Sequence, residues 1–263
     1  MNQSPSNSLT PSPSIVDWDK ILFRASSWGN LLTESKDRKG LGQVCQKELI
    51  KIYNQVKYGR KKDITTKQMD KGRLCEEDGI TMVSRVEKRL YVKNQEELQN
   101  DFFRGHPDIF SGDNISTAKE VSDIKCSWEM DTFTPKLLES LDKGYEAQLN
   151  VYYDLTGAES GSLFYCLVSA PMQILEQEKK SLLWRMDVAT ELNPAYIEAA
   201  EELERLMVFE DIDIRERVIK IPVPRNDELI DKMKAKVPIF RKWLAEFEKT
   251  HMAQYPKSLT MIA

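Results

Sequence analysis

Cysteine is scarce in this 263-residue chain, and Cys45, Cys75, Cys126 and Cys166 stand far apart with no Cys-x-x-Cys pair. That spacing excludes a zinc ribbon and a clustered iron–sulfur motif. Long hydrophobic runs are missing too, none reaching the ~18 residues a membrane span needs. The first residues lack a basic stretch followed by an apolar one, so no secretory leader is expected. A basic surplus is also absent: 38 Lys and Arg stand against 42 Asp and Glu, a net charge of −4. A chain so balanced does not coat nucleic acid indiscriminately, and any DNA contact must come from a local patch. Internal repeats are not visible. What is present is a 41% apolar composition over a length ample for a buried core, as in a folded protein with reduced thiols in a cytosol.

Residues 1–14 are rich in Ser, Pro and Asn and read as a disordered tail, with structure starting near Ile15 and one domain running over 15–255. Arg24, Ser26, Ser27 and Trp28 predict a short helix capped by one of the serines. A helix N-terminus beside an arginine suits an anion; the plainer alternative is an ordinary capped helix with a solvent-facing Arg24. Val44, Leu49, Ile50, Tyr53 and Val56 have the spacing of an amphipathic helix over 41–58. The basic cluster Arg60-Lys61-Lys62 follows, either a DNA-backbone contact or a solvated loop. Residues 67–88 read as helical, and 95–101 as an irregular or short helical connection.

Phe102 to Phe110 reads as one strand, confined by Pro107 to an edge or a strand end. Val121 to Trp128 reads as the next, with Val121, Asp123, Lys125 and Ser127 on one face and Ser122, Ile124, Cys126 and Trp128 on the other. A helix over 136–156 stops at Gly157 and carries Gln148 and Tyr152 one turn apart. Leu163 to Val168 reads as a strand buried on both sides. A helix near 174–185 follows, then one capped by Asn193 with Pro194 at its first position and running to about Met207. A strand over 217–223 and an amphipathic helix over 227–249, containing Pro238, complete a mixed α/β chain.

Charges on a central strand are costly unless paired or bound to metal. Asp108 and Asp123, with Glu76 and the Ile124 carbonyl, supply hard oxygen ligands of the kind that hold Mg²⁺, which keeps several of its waters. Lys125 shares the face of Asp123, where it can orient or help deprotonate a water or stabilise a negative transition state. By spacing alone, the alternative is a structural Asp–Lys pair on a surface hairpin.

Pro107-Asp108 followed by Asp123-Ile124-Lys125 resembles the signature of the PD-(D/E)xK nuclease superfamily. Gln148-x-x-x-Tyr152 resembles the additional motif of its RecB-like and phage exonuclease branches, and Gly72-x-x-x-Glu76 the helical acidic motif that precedes the core. Phe23 to Ser27 resembles the N-terminal segment of the YqaJ-type viral recombinases, relatives of lambda exonuclease. The resemblance covers roughly residues 23–168. It implies a restriction-endonuclease-like core over about 67–170, a mixed central sheet flanked by helices, with 171–250 as an elaboration. It further implies Asp108, Asp123 and Glu76 as metal ligands and Lys125 as the catalytic lysine. Gln148 and Tyr152 would steady the site and contact the backbone, and Arg24 and Ser27 would hold a 5′-phosphate. Glu77 competes with Glu76, and His106 is a phosphate contact or a loop histidine. The implied cofactor is Mg²⁺, with Mn²⁺ as the alternative and no iron–sulfur cluster. The implied partners are double-stranded DNA ends, a single-strand annealing protein and further copies of the chain, without a membrane, in the host cytoplasm if phage-encoded.

The activity this implies is Mg²⁺-dependent digestion of linear duplex DNA from a 5′ end, for phage-type recombination or end resection. Three other readings compete with it. A structure-specific endonuclease would not need Arg24 and Ser27. A catalytically silent DNA-binding module would not need Asp108, Asp123 and Lys125 together. A structural or host-interaction protein would bind no metal.

Overall fold

The computed structural model describes residues 16–37, 40–60 and 66–254. The expected tail over 1–14, the residues after 254, and Lys61 and Lys62 of the basic cluster lie outside that range. In chain order the elements begin with β1 (Phe23–Arg24), α1 (Trp28–Leu31), α2 (Gln43–Tyr58), α3 (Lys67–Leu74) and α4 (Glu76–Glu87). Four short strands follow: β2 (Val92–Lys93), β3 (Leu98–Gln99), β4 (Phe103–Gly105) and β5 (Ile109–Ser111). The centre of the chain holds β6 (Glu120–Cys126), α5 (Met130–Phe133), α6 (Lys143–Thr156) and β7 (Ser160–Cys166). The rest is α7 (Met172–Arg185), α8 (Pro194–Met207), β8 (Val218–Pro224) and α9 (Asp227–Gln254). The architecture is mixed α/β.

The chain divides into two compact units. One holds the described residues of Met1–Ile21, Asn30–Asp63 and Met233–Ala263. Its interior is aromatic: Trp18 stacks on Tyr53 with centroids 5.3 Å apart, and Phe247 meets the Tyr53 ring edge-on at 5.0 Å. Cys45, Leu49 and Tyr53 line the buried face of α2, and Met233, Val237, Phe240 and Leu244 that of α9. The α9 face is the one read from the sequence, whereas on α2 Leu49 and Tyr53 are buried with Cys45 while Val44 and Val56 are exposed.

The other unit, Leu22–Gly29 and Ile64–Lys232, contains both sheets. The larger runs β2-β5-β6-β7-β8 and the smaller β1-β4-β3. In the larger sheet β6 and β7 are parallel and the other neighbours antiparallel. A parallel pair needs a crossover, and α6 supplies it. Phe164 and Cys166 of β7 are fully buried beneath α4, in a cluster with Val83, Ile109 and Ile124. Burying a phenylalanine of this kind contributes about 1.5–3 kcal/mol. The two faces of β6 divide as period two requires. Ile124 and Cys126 enter the core under α4, while Asp123 and Lys125 turn towards α6.

Four expectations need correction. The expected strand over 102–110 is two strands in different sheets, β4 pairing with β1 and β3, and β5 with β2 and β6. The break falls at His106-Pro107-Asp108, where proline has no N–H to continue a ladder. The connection over 95–101 contains strand β3 rather than a helix. The helix over 67–88 is broken at Cys75, whose φ of −93° and ψ of 0° leave the helical region. The helix over 136–156 starts only at Lys143, because the Asp142 side chain accepts from the Gly144 and Tyr145 N–H groups and fixes the N-terminus there. Its end is as read, with Gly157 at φ +77°.

Candidate active site

The break at Pro107 places Asp108 at the entry to β5, beside the centre of β6. Its backbone carbonyl accepts from Asn94 N–H at 2.9 Å, and its Oδ2 accepts from Ile124 N–H at 2.8 Å. The side chain of Asn94 donates to the Pro107 carbonyl at 3.0 Å, so the Pro-Asp dipeptide is held from both ends. Asp123, 1% exposed, is held by two groups. Gln148 Nε2 donates to its Oδ1 at 3.0 Å, and its Oδ2 forms an ion pair with the Lys125 ammonium. Gln148 Nε2 also donates to the Tyr152 hydroxyl at 2.8 Å. Asp108, Asp123, Lys125, Gln148 and Tyr152 therefore stand as one constellation at the β5–β6–α6 junction.

The electrostatics follow from crowding two carboxylates in a confined space. Burial raises the Asp108 carboxyl well above the usual range and the Asp123 charge adds to this, with Lys125 and the Ile124 N–H opposing. Burial pulls the Lys125 ammonium down, but Asp123 and Asp108 outweigh it and hold Lys125 above an ordinary lysine. Burial, then Asp123 and Asp108, push the Tyr152 phenol well up, so it stays neutral. Two hard carboxylates share one ammonium, an excess of negative charge that fits a hard divalent cation with few protein ligands and several waters. Among the described residues no group of three or more His, Cys, Asp or Glu converges as a ready-made metal cluster.

Glu76 and Glu77 open α4, where acids suit the helix dipole. Lys93 pairs with both, at 3.4 Å from Glu76 and 3.3 Å from Glu77. Glu76 is the less exposed, with 30% of its side-chain surface open against 82% for Glu77, and its charge reaches Asp108. Arg24 is exposed on β1, which runs parallel to β4 in the register Arg24↔Arg104. Its charge reaches the Tyr152 phenol. The helix expected after Arg24 is a 3-10 turn, Ala25–Ser27, leading into the single turn of α1, and the turn has no side-chain capping bond. One turn aligns too few peptide dipoles to act as the anion-binding helix end read from the sequence. His106 is exposed at the Pro107 break.

Three residues near the site escaped the sequence reading. Tyr145, one turn before Gln148 on α6, lies under Lys125, whose Nζ is 5.2 Å from the ring centroid. Burial, then Tyr145, Glu139 and Asp142, push the Tyr165 phenol up to about 12. Lys71 on α3 is wholly buried, and its Nζ donates to the Ser127 and Trp128 carbonyls at 3.0 and 2.8 Å, just beyond Lys125. The i, i−3 relation to Gln148 was the available signal for Tyr145. Lys71 had none, since a lysine between Asp70 and Gly72 reads as solvated.

The sheet order defines a mixed α/β architecture that solved exonuclease structures share. A phage-related exonuclease from Haemophilus somnus 129PT superimposes with a TM-score of 0.68 at 20% identity, over 88% of this chain and 97% of that one. An alkaline exonuclease from Laribacter hongkongensis gives 0.57 at 14% identity, over 90% and 97%. A complex with dAMP from the same series gives 0.55 at 14%, over 90% and 95%. The sequence matches no family model and no curated protein. Among the described residues no helix is long and apolar enough to cross a membrane.

Proposed function

We propose that this chain is a metal-dependent deoxyribonuclease of the PD-(D/E)xK type, acting as an exonuclease on linear double-stranded DNA from a 5′ end. The work it suits is phage-type recombination or end resection beside a single-strand annealing protein. The observation that carries this is the convergence of Asp108, Asp123 and Lys125 at adjoining strands, braced by Gln148 and Tyr152, on a fold shared with exonucleases.

Asp108, Asp123 and the Ile124 carbonyl would hold Mg²⁺ or Mn²⁺, with Glu76 completing the set. When bound, such an ion supplies an activated water and charge neutralisation at the phosphate. The rest falls to the chain itself. Gln148 fixes the Asp123 carboxylate through Oδ1, leaving Oδ2 towards Lys125. Lys125, paired with Asp123, orients or helps deprotonate the attacking water, or stabilises the negative transition state. The Ile124 N–H fixes Asp108. Arg24 and Ser27, carried by the β1 segment beside β4, are the proposed holders of a 5′-phosphate.

The test is digestion of linear duplex, with and without a 5′-phosphate, in Mg²⁺ or EDTA, by wild type and Lys125→Ala. Mg²⁺-dependent loss of one strand, faster with the phosphate and abolished in the variant, is expected. Cutting of closed circles or branched DNA without end preference would replace the exonuclease with an endonuclease. DNA binding without cleavage would leave a silent binding module.

A further inference from the structure

Lys93 stands between two acids that compete for one role. Its Nζ lies 3.4 Å from Glu76 Oε1 and 3.3 Å from Glu77 Oε1. The elements that carry these side chains are fixed with respect to the carboxylate site. β2 pairs with β5 in the register Lys93↔Ile109, one residue past Asp108, and the following Asn94 donates its N–H to the Asp108 carbonyl at 2.9 Å. The strand that clamps the Pro-Asp dipeptide therefore also sets the lysine. On the other side, Gly79 of α4 lies so close to β6 that a Cβ there would be 3.2 Å from Ile124 Cγ2 and 3.4 Å from the Cys126 sulfur. That approach brings the first turn of α4, with Glu76 and Glu77, against the strand that carries Asp123 and Ile124.

The two acids differ in what else they meet. Glu76 is the less exposed, and its charge reaches Asp108. Glu77 is largely open to solvent. The Lys93 ammonium offsets the repulsion between Glu76 and Asp108, but it also competes with any cation for the Glu76 carboxylate and repels that cation. Freeing Glu76 does not strand the lysine, because Glu77 already lies within reach of it. Ion pairs this exposed are weak, which suits an exchange of partners rather than a lock.

We propose that Lys93 is a positioning residue that holds Glu76 before an ion arrives and passes to Glu77 when Glu76 turns to the metal. The adjacent acids then have different tasks: Glu76 is the ligand, and Glu77 receives the lysine that Glu76 releases. The proposal rests on the metal-dependent reading above.

The test is Mn²⁺ affinity of the full chain without DNA, read from the paramagnetic resonance of the free ion. About 0.5 M KCl screens charges several ångströms apart, so that contacts rather than distant charges are compared. Glu76→Gln is expected to weaken binding about tenfold or more. Lys93→Met should tighten it about threefold and Glu77→Gln weaken it about threefold, the scale of an exposed ion pair. A merely structural Lys93 would give the opposite sign, since loosening the site weakens binding. Glu77→Gln should change nothing in the Lys93→Met background, and Lys93→Met nothing in the Glu76→Gln background. Additive effects of Lys93→Met and Glu77→Gln, or a Lys93→Met protein that binds no tighter, overturn the exchange and leave the metal site standing. Wild-type affinity in Glu76→Gln removes Glu76 as a ligand and the exchange with it. A wild type that binds no Mn²⁺, or no more tightly than Asp108→Asn, removes the metal-dependent reading itself.

Discussion

Gly105 packs closely behind Tyr152, and adding one carbon there tests how tightly the constellation is held. A Cβ at this position would lie 2.8 Å from Tyr152 Cε1, 3.1 Å from Cδ1 and 3.1 Å from the Ala25 Cβ. Carbon atoms settle at about 3.5–4.0 Å, so in Gly105→Ala the ring must retreat by about 0.7 Å. It has little freedom, being on a buried face of α6 with its hydroxyl at 2.8 Å from Gln148 Nε2. A shift of that size stretches this hydrogen bond to the edge of a useful distance, and Gln148 is also what holds Asp123. Overpacking costs about 1–3 kcal/mol, against about 0.4–1 kcal/mol gained from the stiffer unfolded chain. The expected net loss is about 1–2 kcal/mol in a urea melt. The rate should fall further than the melt implies, because displacements near 1 Å cost on the order of 100-fold when reacting groups are aligned. About tenfold lower kcat at saturating Mg²⁺ and DNA is expected, with Gly105→Ala/Ala25→Gly recovering part of both losses. A Gly105→Ala protein with wild-type stability and rate refutes the packing argument. Lost stability with an unchanged rate refutes the chain from Tyr152 through Gln148 to Asp123.

Other outcomes follow from the same geometry. Since burial and Asp123 raise the Asp108 carboxyl, the folded state keeps a proton there that the unfolded chain has already released, and stability declines as pH rises from about 4, the unfolded value, through the raised folded one. Asp108→Asn should therefore be inactive in Mg²⁺ and, in EDTA, more stable than wild type at pH 8, with the gap closing towards pH 4; a gap that is constant with pH contradicts the shift. A Cβ on Gly161 would come within 1.8 Å of the Val121 carbonyl oxygen, so Gly161→Ala should force β6 and β7 apart and yield little folded protein, read by circular dichroism. Lys71→Ala strands the buried Ser127 carbonyl and the half-buried Trp128 carbonyl and opens a void, which should cost about 3 kcal/mol in chemical denaturation.

What the sequence disclosed was mostly local. Asp123 and Lys125 two apart on a strand, Gln148 and Tyr152 one turn apart on a helix, Asn193 capping Pro194 and Gly157 ending α6 all follow from periods of two and 3.6 or from a backbone preference. What stayed hidden depends on partners remote in the chain. The stretch from Phe102 to Phe110 looks like one strand because nothing in it says that β4 will pair with the two residues of β1 and β5 with the two of β2. Lys71 looks solvated because its acceptors, Ser127 and Trp128, are more than fifty residues away. Glu76 over Glu77 rests on spacing, and nothing in the local sequence says that α4 leaves Glu77 the more exposed of the two.

The parallel pairing of β6 with β7 through α6 has a kinetic implication. Asp108, Asp123, Lys125, Tyr145, Gln148, Tyr152 and Tyr165 all lie on β5, β6, α6 and β7 or at their edges, where the strand pairings reach less far along the chain than that of β7 with β8. The shorter loops close at a slightly lower entropic cost, so the candidate site is expected to assemble before β8 joins the sheet. β8 must then add itself to β7, where the Tyr153 hydroxyl donates to the Val223 carbonyl seventy residues on at 2.7 Å. Hydrogen exchange during refolding should accordingly protect β6 and β7 before β8, with the two parallel strands serving as the template on which the edge of the sheet is laid.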